Sequence, residues 1–188
     1  MTGILTLNAG SSSMKFGLYR DAADPVELLH GQIDGIGAAA RLILTTPEGT
    51  TATKVAAPTQ ADALTRVIEA LTGPLADLTI TGVGHRIVHG GPQFSAPVIL
   101  TQDVLAALSD LRPLAPLHQP HNLAAVAVAQ QAFPNAVQVG CFDTAFHRGH
   151  PWVNDTFAIP RRYYDAGIRR YGFHGLSYDY ITGHIAET

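Results

Sequence analysis

The segment GVGHRIVHGG, residues 82–91, contains the residue types best suited to chemistry in this sequence. In an extended chain alternate side chains share a face, so Arg86 and Val88 are expected to lie together, opposite His85. A guanidinium can hold a carboxylate through two hydrogen bonds, and an isopropyl group offers a dry surface to a short apolar tail. The pattern predicts a site for a small carboxylic acid. An arginine buried against a structural aspartate is the alternative.

The polar segment NAGSSSMK, residues 8–15, is a second candidate site. It separates two short apolar runs, which predicts a strand, a turn and a second strand. Such a turn offers backbone N–H groups, hydroxyls and one ammonium group to an anion, and alternation is expected to place Ser11, Ser13 and Lys15 on one side. The segment lacks the Gly-Lys-Ser/Thr ending of a Walker loop. An ordinary hairpin turn is the alternative.

Two single residues add to these segments. Asp143 directly follows the apolar run AVQVGCF, and open α/β sheets carry their chemistry beyond the carboxyl ends of strands. It is therefore a catalytic or metal-binding candidate, with a turn cap as the alternative. His174 lies in the aromatic segment YGFHG and suits a neutral hydrogen-bond donor to an oxyanion, although a lone histidine is more often structural.

The nine histidines raise the question of a zinc site. His85 and His89 are four residues apart, as in the H-E-x-x-H motif, but Arg86 stands where that motif has its glutamate. Cysteines and carboxylates are not interleaved at ligand spacing. A zinc hydrolase is therefore the least favoured hypothesis.

The order of predicted elements indicates how these segments are positioned. Apolar runs predict a strand meander over the first fifty-odd residues, and Thr59 and Asp62 resemble a capping box that opens a helix ending at Gly73-Pro74. Strands followed by alternating helices and strands predict a layered α/β domain with a mixed sheet. The predicted strands cover residues 4–7, 14–19, 26–33, 41–46, 50–55, 78–83 and 136–142. Further helices cover residues 101–111, residues 120–133, where the pattern is Leu123, Val126, Ala127 and Gln130, and the final segment, where Tyr178, Ile181 and Ile185 are at helical spacing.

Composition narrows the class of protein. Only 14% of the residues are charged, against about 25% in an average soluble protein, so much of this chain is expected to be buried. A formal net charge of −3 gives no basic surplus for nucleic acid. A single cysteine, no apparent secretion signal and no apolar stretch of about 18 residues lead us to expect a cytoplasmic protein without a membrane segment.

Five motifs, in this order, closely resemble the acetate kinase (acetokinase) family: LNAGSSSMKF, GHRIVHGG, LAPLHQPHN, FDTAFH and YGFHG. The resemblance runs from residue 4 to the end of the chain. It implies a ribonuclease H-like fold of the actin, sugar kinase and Hsp70 superfamily, usually a cytoplasmic homodimer. It also implies reversible phosphoryl transfer from ATP to acetate, giving acetyl phosphate and ADP, with Mg²⁺ accompanying the nucleotide.

The resemblance further implies a role for particular residues. Asp143 would be the family's proposed acid/base and His174 would stabilise the transferring phosphoryl group, while Asn8 would lie near Mg²⁺ and Lys15 near the ATP phosphates, beside Ser11 and Ser13. The acceptor would be held by the carboxylate clamp Arg86, the methyl pocket of Val88, Leu117 and Phe173, and the flanking His118.

Physical chemistry modifies one of these roles. Acetate is already ionised at neutral pH, so the nucleophile needs no deprotonation. We therefore expect Asp143 to orient Mg²⁺, water or Arg86 more than to act as a base. Phosphoryl transfer depends mainly on alignment and charge stabilisation, and Arg86 is the residue to which we assign that stabilisation.

The chain covers about half of the family's usual extent. Residues 1–150 would form the amino-terminal domain and residues 151–188 the beginning of a second, nucleotide-binding domain. The isolated 188 residues are expected to bind carboxylate or phosphate without turnover. A propionate or butyrate kinase remains open, because one methylene is worth only about 1 to 3 kcal/mol in an apolar pocket. So does a non-catalytic ligand-binding module of the same superfamily.

Overall fold

A computed structural model describes residues 1–72 and 77–187 of the chain. In these residues one mixed sheet has the strand order β5-β4-β3-β2-β1-β6-β8-β7. Its strands are β1 (Thr2–Ala9), β2 (Ser13–Arg20), β3 (Glu27–Asp34), β4 (Arg41–Thr46), β5 (Gly49–Lys54), β6 (Thr79–Ile87), β7 (Val98–Ile99) and β8 (Val137–Phe142).

The strand pairing confirms the predicted meander and mixed sheet. Strands β1 to β5 pair antiparallel with their neighbours in chain order. Strand β6 is parallel to both β1 and β8, and it joins the predicted strand at residues 78–83 to the glycine-rich segment that follows. Strand β7 pairs antiparallel with β8 and was not predicted, because a strand of two residues has no measurable periodicity.

Five α-helices connect or flank the strands of the described chain: α1 (Gln60–Leu71), α2 (Gln102–Asp110), α3 (Gln119–Ala132), α4 (Arg161–Asp165) and α5 (Gly175–Ala186). The predicted capping box of α1 is confirmed. The Thr59 hydroxyl accepts a hydrogen bond from the Asp62 amide, and the Asp62 carboxylate accepts one from the Thr59 amide. The predicted stop at Gly73-Pro74 lies outside the described residues.

Two apolar clusters form the core. The larger one packs α1 and α3 against the sheet, with Leu5, Leu64 and Val67 fully buried. The smaller one lies where β6 and β8 end, around Ile87 and Phe142. Among the described residues, no helix has the length and apolar character needed to cross a membrane.

The inward face of α3 differs from the prediction. Its sequence pattern favoured Leu123, Val126, Ala127 and Gln130, but Ala127 is exposed. The buried positions include two carboxamides, Gln119 and Asn122, alongside Ala125, Val126 and Ala129. Hydropathy periodicity misses polar residues that are buried because the backbone of neighbouring segments satisfies their hydrogen bonds. The predicted stripe on α5 is also exposed, at Tyr178, Ile181 and Ile185.

The parallel strands determine where the candidate residues meet. Because β1, β6 and β8 run in the same direction, their carboxyl ends lie along one edge of the sheet. Asn8 is near the end of β1, Arg86 is near the end of β6, and Asp143 directly follows β8. The three motifs that contain these residues are far apart in sequence and adjacent in the fold.

Candidate active site

Arg86 connects the ends of the three parallel strands through its guanidinium group. Its Nε donates hydrogen bonds to both Asp143 carboxylate oxygens, at 2.9 and 3.1 Å, and its Nη2 donates to Asp143 Oδ2 at 2.5 Å. Its Nη1 donates to Asn8 Oδ1 at 2.9 Å. The Asp143 amide in turn donates to Ile87 O, so the aspartate is anchored to β6 by its backbone as well. The arginine is thus held on two edges.

Burial makes this ion pair a fixed unit. The Asp143 side chain is 2% exposed and that of Arg86 is 30% exposed. A buried carboxylate requires a partner of opposite charge, and the hydrogen bond that Arg86 donates to Asp143 raises the pKa of Arg86 against the lowering effect of burial. A guanidinium group has five N–H bonds, and three of them donate hydrogen bonds to Asp143 and Asn8. Within the described chain, one N–H on each Nη remains for a ligand.

The sequence-based alternatives for Arg86 therefore coexist. The guanidinium pairs with a buried aspartate, and it also lines a cleft of about 710 Å³, which we call the first cleft. Val88 lines the same cleft, as the alternation in this segment predicts. The opposite face of the segment, with His85, Ile87 and His89, is buried.

The first cleft combines an apolar wall with polar groups. Leu117 is 71% exposed and Phe173 is 39% exposed, so the wall is open at its rim. Leu114 and Pro116 contribute to the wall and were not predicted, because Leu114 ends a 3-10 helix of three residues and Pro116 lies in the turn after it, which is too short for a measurable periodicity. The predicted residues that the first cleft brings together are Ser11, Ser13, Arg86, Val88, Leu117, His118, Asp143, Phe173 and His174.

A second cleft, of about 950 Å³, shares Arg86 and His174 with the first. It contains Asn8 and Lys15. The predicted group of Ser11, Ser13 and Lys15 is therefore divided between two adjoining clefts. Ser11 lies in the turn before β2, whereas Ser13 and Lys15 are two residues apart in β2 and line different clefts, so a shared strand face does not imply a shared cleft. Cys141 is partly exposed and lines the second cleft.

His174 has an unusual backbone conformation. Its φ of 59° is the only positive value among the non-glycine residues described, and it immediately precedes α5. Left-handed backbone at a non-glycine residue persists where surrounding contacts impose it. Here the amide of Gly175 donates to Asp143 O at 2.8 Å, and His147 Nε2 lies 3.0 Å from Phe173 O. These contacts fix His174 at the boundary between the two clefts.

The histidines beside Arg86 are structural in this fold. His85 Nε2 lies 2.8 Å from Gln138 Oε1, and burial lowers the pKa of His85. His89 Nδ1 accepts a hydrogen bond from the Gly91 amide, and burial lowers the pKa of His89 as well. Its ring packs edge-on against Tyr171, with centroids 4.5 Å apart. In the described part of the chain, no three His, Cys, Asp or Glu side chains are grouped to hold a metal ion.

The oxygen donors of the site fit a magnesium ion that is held mainly by phosphates and water. Mg²⁺ uses one or two protein ligands and fills its remaining positions with substrate phosphates and water. Asn8 Oδ1 accepts one hydrogen bond from Arg86 and retains a second lone pair beside the second cleft. Both Asp143 oxygens are engaged by Arg86, which leaves Asn8 as the better protein ligand.

Comparison with known proteins agrees with this geometry. The sequence model of the Acetokinase family matches residues 3–188. An acetate kinase of Methylocella silvestris is 46% identical over 197 residues, covering 98% of this chain and 49% of that protein. An acetate kinase of Rhizobium meliloti is 44% identical, covering 100% of this chain and 49% of that protein. The chain therefore spans about half the length of the curated relatives it matches.

Solved structures show the same relationship at the level of the fold. The crystal structure of Porphyromonas gingivalis acetate kinase superposes with a TM-score of 0.87 at 34% identity, covering 100% of this chain and 49% of that one. A propionate kinase from Francisella tularensis gives a TM-score of 0.88 at 33% identity, also with 100% and 49% coverage. The expected α/β fold of the actin, sugar kinase and Hsp70 type is confirmed. On sequence and on structure, this chain belongs to the acetokinase family.

Proposed function

We propose that the protein is an acetate kinase, which transfers the terminal phosphoryl group of ATP to acetate and forms acetyl phosphate and ADP reversibly. One observation carries the proposal. Arg86 is held in place by Asp143 and Asn8, has two N–H groups without a partner among the described residues, and lines the same cleft as the apolar side chains of Val88 and Phe173. That combination matches the two ends of acetate, and the two curated relatives named above are acetate kinases.

The first cleft is the acceptor site in this proposal. The two Nη donors of Arg86 bind the acetate carboxylate, and the methyl group contacts the wall of Val88, Leu117 and Phe173, with His118 at its edge. The apolar wall excludes water from the carboxylate as the cleft fills, which strengthens the hydrogen bonds to Arg86. The acetate oxygen is ionised at neutral pH and attacks without losing a proton.

Asp143 acts on the acceptor through Arg86. Its two oxygens accept three hydrogen bonds from that guanidinium, which sets the direction of the remaining N–H groups. Because no deprotonation is needed, Asp143 has an orienting role. His174, at the boundary of both clefts, donates a hydrogen bond to the phosphoryl group during transfer.

The phosphate groups of ATP enter beside the turn after β1. Ser11 and Ser13 provide hydroxyl groups from the first cleft, and Lys15 provides an ammonium group from the second. Asn8 would hold the Mg²⁺ that accompanies ATP, and the ion would neutralise phosphate charge there. Arg86 then stabilises the charge that develops as the phosphoryl group passes between donor and acceptor oxygens.

The organisation of the whole protein follows from the same proposal. Residues 1–150 form the amino-terminal domain, and residues 151–188 begin a second domain that completes the nucleotide site. The full-length protein is a cytoplasmic homodimer. The 188 residues alone bind carboxylate or phosphate without turnover, which a hydroxamate assay for acetyl phosphate tests. Normal turnover by this chain alone would contradict that part of the proposal.

Replacing Arg86 tests the proposed function. In the full-length protein, Arg86→Ala is expected to reduce the rate of acetyl phosphate formation by a factor of about 10³ to 10⁵, which is the contribution of a transition-state arginine in phosphoryl transfer. Arg86→Lys is the matched control, since it keeps the charge opposite Asp143 and removes the two-pronged geometry. It is expected to fold and to remain severely impaired. Near-normal rates in either variant would remove Arg86 from this role.

A propionate kinase is the second candidate, since the structure superposes equally well on the Francisella tularensis propionate kinase. Leu117 is 71% exposed, so the rim of the wall places no fixed limit on the acyl chain. Competition between acetate, propionate and butyrate, measured as relative kcat/KM, separates the candidates. A preference of more than about tenfold for propionate would favour the second.

A further inference from the structure

The carbonyl groups of the turn after β1 accept hydrogen bonds from two buried carboxamide side chains, which belong to different helices. Gln60, the first residue of α1, donates from Nε2 to Gly10 O at 2.6 Å and to Ser11 O at 3.3 Å. Asn122, on α3, donates from Nδ2 to Ala9 O at 2.8 Å. Both residues are 4% exposed. Three successive carbonyl groups are thus tied to the protein interior.

These contacts determine where the peptide N–H groups point. In a trans peptide the C=O and N–H bonds point in opposite directions, so carbonyls held at Gly10 and Ser11 turn the amides of Ser11 and Ser12 away from Gln60. The next carbonyl, Ser12 O, accepts from the Ile36 amide at 3.0 Å. Neither the Ser11 nor the Ser12 amide donates to any group in the described residues. Successive free N–H groups of this kind form an anion-binding concavity.

Asn122 also connects this turn to the acceptor cleft. While its Nδ2 holds Ala9 O, its Oδ1 accepts a hydrogen bond from the Val88 amide at 3.0 Å. One carboxamide group therefore spans the ends of β1 and β6. Each of its polar atoms makes a hydrogen bond to backbone, so Asn122 positions the two segments that it joins. Its two contacts fix the separation between the serine turn and the apolar wall.

We propose that Gln60 and Asn122 are positioning residues: Gln60 presets the Ser11 and Ser12 amides for a phosphate group, and Asn122 sets the distance between that phosphate and the bound carboxylate. The inference deepens the proposed function and rests on it for the identity of the two ligands. Binding of a phosphate and of a carboxylate can nevertheless be measured without turnover. Failure of either idea can therefore be recognised separately.

Gln60→Met is the variant that tests the phosphate side. It removes the donor to both carbonyls. It also removes the Gln60 Oε1 atom, which is buried without a partner among the described residues. Because an unpaired buried oxygen is itself destabilising, its loss offsets part of the cost and the fold is expected to persist. Inorganic pyrophosphate is titrated into the full-length protein, and binding is followed by the amide ¹⁵N–¹H signals of Ser11 and Ser12. These signals are expected to move in the unaltered protein, with affinity about tenfold weaker in the variant.

Asn122→Ala tests the link between the two sides. It breaks both contacts, so pyrophosphate and acetate are each expected to bind several-fold more weakly, whereas Gln60→Met leaves acetate binding unchanged. Gln131→Ala is the matched control, since Gln131 is an exposed carboxamide on the same helix, and it should change neither affinity. Thermal melting of each variant shows that it is folded.

The proposal is overturned if folded Gln60→Met binds pyrophosphate as the unaltered protein does. It is also overturned if Asn122→Ala leaves acetate affinity unchanged, or if pyrophosphate moves other amides and not those of Ser11 and Ser12. Absence of acetyl phosphate formation in the unaltered protein, with these binding effects present, would instead reject the proposed function and keep the positioning roles.

Discussion

Two regions of the molecule, residues 1–144 and residues 145–187, contribute to the same clefts. Their large apolar side chains are mostly buried or half-buried in the first region and mostly exposed in the second. The first region contains almost all of both core clusters, including Leu5, Leu64 and Phe142. In the second region the buried residues are Asp155 and Gly175. Its large apolar side chains are mostly exposed: Phe146, Trp152, Val153, Phe157, Ile159, Tyr163, Ile168, Phe173, Tyr178, Tyr180, Ile181 and Ile185.

This difference in burial gives the two regions different roles in the site. Asn8 and Arg86 lie in strands of a packed sheet and Asp143 directly follows one, which suits groups that must keep a fixed geometry. Phe173 and His174 come from the second region, which contacts the sheet through few hydrogen bonds, such as Gly175 N to Asp143 O. Segments with few buried apolar contacts open at lower free energy than the core. The comparison thus predicts a rigid clamp beside a more mobile wall.

The largest effect on stability is expected from shortening a core side chain in the first region. Leu64 is 0% exposed, and Leu64→Ala should lower the free energy of unfolding by about 2 to 5 kcal/mol through lost burial and the remaining cavity. Ile181→Ala is its counterpart in the second region, where the side chain is 52% exposed, and should change it by less than about 0.5 kcal/mol. Urea unfolding measures both values. Equal costs would remove the distinction between the regions.

A smaller effect is expected where the second region docks onto the first. A Cβ at Gly175 would overlap Asp143 O and the Phe146 side chain, so Gly175→Ala should push α5 away from β8 at a cost of about 1 to 3 kcal/mol. Gly183 is the matched control. It lies on the same helix, and a Cβ added there would meet no atom within 4 Å, so Gly183→Ala should stabilise α5 by up to about 1 kcal/mol.

Amide hydrogen exchange distinguishes these outcomes for Gly175→Ala. Exchange in α5 should accelerate while that of β1 and β6 remains slow. In the full-length protein, the proposed formation of acetyl phosphate should fall because His174 is displaced. If β1 and β6 lose protection equally, the two regions open as one unit, and the comparison fails.

The smallest expected effect is a pH dependence that originates in the first region. Burial lowers the pKa of His85 and His89 below the value of about 6.5 that a histidine has in the unfolded chain. The unfolded state therefore binds more protons as the pH falls through about 6.5, so the free energy of unfolding should decrease below that pH and reach its full value above it. Urea unfolding between pH 5 and pH 8 would show this slope.

His85→Gln should reduce the slope, because the glutamine has no proton to bind at these pH values. His121→Gln, at an exposed position, leaves both buried histidines in place and should preserve the slope. A slope that is unchanged by His85→Gln would mean that protons are taken up elsewhere in the molecule.

Several parts of the site could be predicted from local patterns. Alternation along an extended segment was sufficient to place Arg86 and Val88 in one cleft and His85 on the buried face. The capping box at Thr59 and Asp62 predicted the start of α1, since it involves residues that are neighbours in sequence. The same local rules misplaced Ala127 on α3 and grouped Lys15 with Ser11. In both cases the outcome depended on contacts with segments distant along the chain.

The amino-acid order by itself determined the strand and helix periods, the turn at residues 8–13 and the motifs of the acetokinase family, because these depend on residues a few positions apart. Only the tertiary structure decided that Arg86 pairs with Asp143 and that His174 lies between two clefts. It also decided that Gln60 and Asn122 bind the carbonyl groups of the turn after β1. The hydrogen bonds of Arg86, Gln60 and Asn122 to these partners join residues from 49 to 113 positions apart, and no periodic signal encodes them. They form because parallel strands bring their carboxyl ends to one edge, where buried polar groups must find partners.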